Sequence, residues 1–159
     1  REQHKSNFIT VQPNNLYGFK DNSSNETSHV IPGLINRIHK AKKKGLEEVR
    51  IWGSGKPLRE FVFIEDLADA LLFVTKKYND SEPINIGSGE EITIYELAHL
   101  IAKTIAFKGK LVFDKSFPDG VPRKFLDNTK LKKLGWYPKI KLKEGIQMTY
   151  NWYLQNIND

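Results

Sequence analysis

A chain of 159 residues with 39% hydrophobic side chains can bury one core, and without a single cysteine it can hold neither a disulfide framework nor a thiolate metal site. The formal net charge of +6 admits nucleic acid or an anionic small molecule as partner. The lysines, however, gather at predicted helix ends, and no basic stripe alternates with exposed aromatics, so nucleic-acid binding is set aside. No apolar run approaches the roughly 20 residues of a membrane span, and the polar start Arg1-Glu2-Gln3-His4-Lys5 has no signal-peptide core. No membrane partner is expected, and the cysteine-free composition suits a reducing, cytoplasmic setting.

In chain order, Phe8-Ile9-Thr10-Val11 reads as a buried strand. It delivers a polar turn, Pro13-Asn14-Asn15-Leu16-Tyr17-Gly18, to a sheet edge. Residues 20–27 are polar and turn-rich, a surface loop. Ser28 then caps a helix from His29 to about Lys44, with Val30, Ile31, Leu34, Ile35, Ile38 and Ala41 at helical spacing and Gly45 ending it. Residues 49–52 and 61–64 are strand candidates. Between them, Trp52-Gly53-Ser54-Gly55-Lys56-Pro57-Leu58-Arg59 offers an indole face and a guanidinium, suited to a planar base and an anionic phosphate.

Glu65 and Asp66 open the next helix, predicted to bury Leu67, Leu71, Leu72 and Val74; residues 83–86 form another short strand. Thr93-Ile94-Tyr95-Glu96 is a capping box starting a helix that carries Leu97, Leu100, Ile101 and Ile105. A strand at 110–114 follows, Asp127 caps a short helix ending at Gly135, and a last helix follows Lys143. Helices and strands alternate without repeats, which predicts an α/β chain.

Chemistry-bearing motifs are sparse. Gly53-Ser54-Gly55 and Gly87-Ser88-Gly89 both lack the third glycine of a dinucleotide fingerprint, and neither opens a helix directly after a strand. Tyr137 and Lys141 have the four-residue spacing of a reductase catalytic pair, but Pro138 breaks the helix that the spacing requires. His4, His39 and His99 stand in no motif, and no two of the four histidines share metal-ligand spacing, so no metal site is expected. By themselves, Pro13 to Asn15 and Asp119-Gly120 are ordinary turns. Taken alone, His29 equally suits a helix-start residue that caps or faces solvent, Trp52 a core residue at a strand end, and Arg59 a surface partner of Glu60.

In combination they say more. The segments around Pro13 and Trp52, with Ser28-His29-Val30-Ile31-Pro32, Pro118-Asp119-Gly120 and Arg59-Glu60-Phe61-Val62-Phe63-Ile64-Glu65-Asp66-Leu67-Ala68, resemble the GDP-L-fucose synthases of the extended short-chain dehydrogenase/reductase family. The likeness covers nearly the whole chain but only the second half of those enzymes. It implies the C-terminal substrate-binding portion of an extended Rossmann-type reductase, of mixed short strands and helices. Residues 1–28 would complete the cofactor-domain sheet. Residues 29–159 would mostly bind nucleotide sugar, some segments returning to the cofactor domain.

The resemblance further implies NADP as cofactor, with Pro13, Asn14, Asn15, Leu16 and His29 at its nicotinamide end. It implies a GDP-sugar substrate, with Arg37 on the diphosphate and Trp52, Arg59 and Asp119 completing the contacts; Lys124 adds phosphate attraction. His29 would be the acid that epimerises carbons 3 and 5 of a 4-keto sugar before its reduction, a role open to histidine as a side-chain type. Arg37 lies about two helical turns beyond His29 and so on the same face. Asn36 stands where the family pattern has another arginine. A homodimer is expected through an N-terminal half missing here. The chain alone, without the glycine fingerprint and the Tyr–Lys pair, is expected to be inactive. The run from Arg59 to Ala68 is common to many extended reductases and does not choose a substrate. Another nucleotide-sugar epimerase or dehydratase, or a non-catalytic nucleotide-sugar binding module, are the alternative readings.

Overall fold

The computed structural model describes residues 1, 3–22 and 28–156, so most of the stretch read as a surface loop, residues 23–27, lies outside the described residues. The chain opens with β1 (Val11–Pro13) and β2 (Asn15–Tyr17) on either side of Asn14. The expected strand at residues 8–11 is therefore displaced, and Phe8 is 76% exposed. Ladder pairing decides the outcome. β1 runs parallel to β5 (Ile84–Ile86) and β2 parallel to the second half of β4 (Leu58–Phe63), so the supposed turn is strand on both sides of one residue.

Helix α1 (Val30–Lys43) takes His29, not Ser28, as its N-cap, and no side chain caps it. Pro32 sits in the first turn, where a missing amide hydrogen costs nothing. Ile31, Leu34, Ile35, Ile38 and Ala41 form the buried stripe. Gly45, at φ +64°, ends the helix: Gly45 donates to the Lys42 carbonyl and Leu46 to that of Ala41.

Strand β3 (Glu48–Trp52) pairs in parallel with β7 (Lys110–Asp114). Ile64 opens α2 (Ile64–Lys77) and does not extend β4. Leu71 and Leu72, expected inside, are exposed; the buried stripe is Asp66, Leu67, Ala70 and Val74. The Asp66 carboxylate accepts the backbone N–H groups of Lys139 and Ile140, at 3.1 and 3.0 Å, which holds that face of α2 inward. The capping box of α3 (Ile94–Ile105) forms as read, with Thr93 and Glu96 satisfying each other's amides. Short β6 (Glu91–Thr93) and β8 (Arg123–Lys124) flank the first half of β4. Asn128 is the N-cap of α4 (Thr129–Lys133), while Asp127 Oδ1 accepts the Thr129 N–H. The last helix is α5 (Leu142–Asn156). Among the described residues no helix is long and apolar enough to cross a membrane, and no group of three or more His, Cys, Asp or Glu is placed to hold a metal ion.

Strand β4 separates two cores. Phe61 and Phe63 point into one, with α1, α3 and α5; Val62 points into the other, with α2, β5 and α4. Gly145 brings α5 against the first, where an added Cβ would run into the Tyr17 hydroxyl and crowd Phe63. Gly145→Ala is expected to lower stability by about 1–3 kcal/mol through overpacking, outweighing alanine's better helix propensity. The check is urea unfolding at unchanged slope; a midpoint at or above that of the parent would show that the contact yields freely.

Candidate functional site

Two open clefts meet along the N-terminal end of α1. The first, of about 310 Å³, is lined by His29, Arg37, Trp52, Arg59 and Asp119, with Gly33, Gly55 and Pro118 among their neighbours. The second, of about 690 Å³, is lined by Asn14, Asn15, Leu16, Tyr17, Asp21 and Lys124, and it shares Ser28, His29, Val30 and Arg59 with the first. Five residues read separately from the sequence thus come together from α1 and its N-cap, the end of β3, β4 and the loop after β7. The uncapped start of α1 also faces this space, and its dipole favours an anion there.

Each side chain is held by a specific neighbour. The Arg37 guanidinium donates to the Arg50 carbonyl at 3.1 Å and lies 4.5 Å from the Trp52 ring centroid. Partial burial pulls its pKa below the ordinary arginine value. Trp52 is not a core residue: it is 51% exposed and stacks on Phe117, centroids 4.9 Å apart and planes 15° from parallel. Arg59 lies within β4, not in a loop, and donates to the Leu58 carbonyl at 2.8 Å.

Asp119 accepts from both the backbone N–H and the hydroxyl of Ser54, at 2.8 and 2.6 Å. Those bonds, the hydroxyl first, hold its carboxyl below the usual carboxylate range, helped by the charges of Lys56 and Arg59. Both its oxygens thus already serve to close the loop over Gly53. That glycine sits at φ +85°, and a Cβ on it would meet the carboxylate.

Glu60 is no surface partner of Arg59. It is fully buried and accepts from Asn14 Nδ2, from Asn128 Nδ2 at 3.1 Å, and from the backbone N–H groups of Gly89 and Leu126 at 2.6 and 3.2 Å. Asn14 is therefore spent inside: its Oδ1 takes the Asn15 backbone N–H at 2.8 Å and its amide faces Glu60. Pro13 ends β1 and lies outside both linings. Asn15, Leu16 and Lys124 remain on the second cleft, with Lys124 Nζ donating to Asn15 Oδ1 at 3.1 Å.

His29 stands where the clefts join. Its Nδ1 lies 2.9 Å from Asp21 Oδ1. Sequence reading missed Asp21 and Phe117, because both sit in irregular segments where no periodicity places a side chain. Tyr137 and Lys141 fall in the non-helical stretch between α4 and α5, away from both clefts.

The NAD dependent epimerase/dehydratase family matches residues 1–87 of this chain. A putative GDP-L-fucose synthase 2 from Arabidopsis thaliana is 52% identical over 99% of this chain and 48% of its own length. A GDP-L-fucose synthase from Sinorhizobium fredii is 48% identical over 100% of this chain and 51% of its own length. The crystal structure of a GDP-L-fucose synthetase from Naegleria fowleri bound to NADP superposes with a TM-score of 0.88 at 36% identity, over 94% of this chain and 47% of that one. The chain spans about half the length of the curated relatives it matches.

Proposed function

The chain belongs to the NAD dependent epimerase/dehydratase family, and from that premise we propose that it is the nucleotide-sugar-binding half of a GDP-L-fucose synthase, an NADP-dependent epimerase-reductase that converts GDP-4-keto-6-deoxy-D-mannose to GDP-L-fucose. The observation that supports the reading most is the convergence of His29, Arg37, Trp52, Arg59 and Asp119 on one cleft beside a helix N-terminus. Two guanidiniums and a helix dipole answer a diphosphate, since bidentate charge-assisted bonds suit phosphate oxygens. Half-exposed Trp52, held by its stack on Phe117, offers an apolar wall for sugar or base. Residues 1–28 belong, on this reading, with the cofactor half; the dimer and the cytoplasmic setting are part of the same proposal.

NADP is the cofactor this reading implies. The second cleft fits its nicotinamide end: Leu16, Phe61 and Ile64 give an apolar floor, with Asn15 and Lys124 on a polar rim. Bound there, NADPH would supply the hydride that reduces the keto group. His29, at the junction of the two clefts, reaches the sugar from the protein side and gives the proton at carbon 3 or 5.

Calorimetric titration of this chain with GDP is the test. Arg37→Ala and Arg59→Ala should each weaken binding by about 10–100-fold, the loss of charge-assisted hydrogen bonds, and the difference should shrink as salt rises. Parent-like GDP affinity in both variants would sink the assignment.

A further inference from the structure

Resting on that reading, we propose that Asp21 is a positioning residue for His29: it holds the imidazole with its proton on Nδ1, so that Nε2 is the nitrogen that exchanges a proton with the sugar. The pair has the geometry for this. Asp21 Oδ1 lies 2.9 Å from His29 Nδ1. The Asp21 side chain is only 16% exposed, whereas that of His29 is 76% exposed. An ionised carboxylate can only accept, so the hydrogen between the two atoms belongs to Nδ1. The carboxylate is itself fixed, since Oδ1 also accepts the Asn22 backbone N–H at 2.8 Å. An imidazole this open to solvent would otherwise turn about its side-chain bonds and sample both tautomers. Tied at Nδ1, it keeps one orientation at the junction of the two clefts, which Asp21 itself borders only on the second.

The proton step balances without a further reagent. The electron pair of the substrate's enolate forms a C–H bond with the proton on Nε2 as the Nε2–H bond breaks. The imidazolium becomes neutral imidazole with its hydrogen still on Nδ1, and Asp21 stays ionised throughout. This is the orienting role that a buried carboxylate plays behind other catalytic histidines, transferred here on geometry alone.

Two readouts on the intact protein test it. In long-range ¹H–¹⁵N spectra with the imidazole neutral, parent His29 should show the Nδ1–H tautomer, and Asp21→Ala should shift it towards Nε2–H, the form favoured in water. In deuterated water, Asp21→Ala should slow hydrogen exchange at the substrate's epimerised carbons by about 10–100-fold, part of the roughly 10²–10⁴-fold that acid–base catalysis supplies. GDP affinity serves as the control for folding. Asp21→Asn keeps an acceptor oxygen and should fall between the two. If Asp21→Ala slows exchange while His29 stays in the Nδ1–H form, the role is merely structural and the proposal fails. If Asp21→Ala exchanges at the parent rate while His29→Asn does not, the proposal fails and the function assigned to His29 stands. If His29→Asn also exchanges at the parent rate, both fall.

Discussion

Replacing His29 with asparagine in the intact protein is expected to slow hydrogen exchange at the epimerised carbons by about 10²–10⁴-fold while GDP binding stays close to the parent. Asparagine fills a similar space and keeps polar atoms at the helix start, so α1 should form. The helix does not depend on the histidine for a cap, since no side chain caps it. The residue is also mostly solvent-exposed and adds little to either core. What is lost is an imidazole, a side chain able to take up a proton and pass it on. Binding should survive because the anion-answering groups, Arg37 and Arg59, lie elsewhere in the cleft. Exchange at the parent rate would remove His29 from the chemistry. Loss of GDP binding with loss of exchange would make it a structural or ligand-holding residue instead.

The largest loss of stability is expected at Glu60. Its carboxylate gathers four donors from Asn14, Gly89, Leu126 and Asn128 at zero exposure, so it joins the β1–β2 junction, the turn after β5 and the segment leading into α4. Glu60→Ala leaves the buried Asn14 and Asn128 amides and the part-buried Gly89 and Leu126 N–H groups without their acceptor and opens a cavity, at a cost of about 3–5 kcal/mol, a large share of the roughly 5–15 kcal/mol that holds a domain folded. Glu60→Gln keeps the volume and turns one acceptor into an NH₂ group facing donors, so it should be damaging but milder. Urea midpoints compared at equal slope measure both. A Glu60→Ala protein within about 1 kcal/mol of the parent would mean that the donors find other partners, and the buried network would be incidental.

How much of this was legible depends on whether local chemistry or a distant neighbour sets each feature. The stripe of α1, the Thr93–Glu96 box and the β3 and β7 runs follow from spacing and caps, which act within a few residues. Short β6 and β8 form because β4 offers them an edge, and at three and two residues they are too short for a period to show. Glu60 beside Arg59 looked like a surface pair because adjacent charges usually are; in a strand, adjacent side chains face opposite ways, which carries Glu60 into the interior and leaves Arg59 on the clefts. Leu71 and Leu72 misled because the carboxylate of Asp66, which charge alone places outside, is satisfied inside by two backbone amides. The meeting of Arg37, Trp52, Arg59 and Asp119 in one cleft follows from no helix or strand period, which relates no four separate segments; only the family resemblance groups them.

Strand β4 is shared: residues 58–60 pair with β6 and β8, and residues 61–63 with β2. An unbroken strand anchored by both ladders is a poor hinge and ties the floors of the two clefts together. One exposed wall of the first cleft is held by a few bonds only. That wall is the exposed segment from Lys115 to Pro122, tied to Ser54 through Asp119, to Trp52 by the Phe117 ring, and to the Leu58 N–H by the Pro122 carbonyl. Ligand entry and release would be paced by those ties, and mutations at Ser54 would register in dissociation rates before they register in stability.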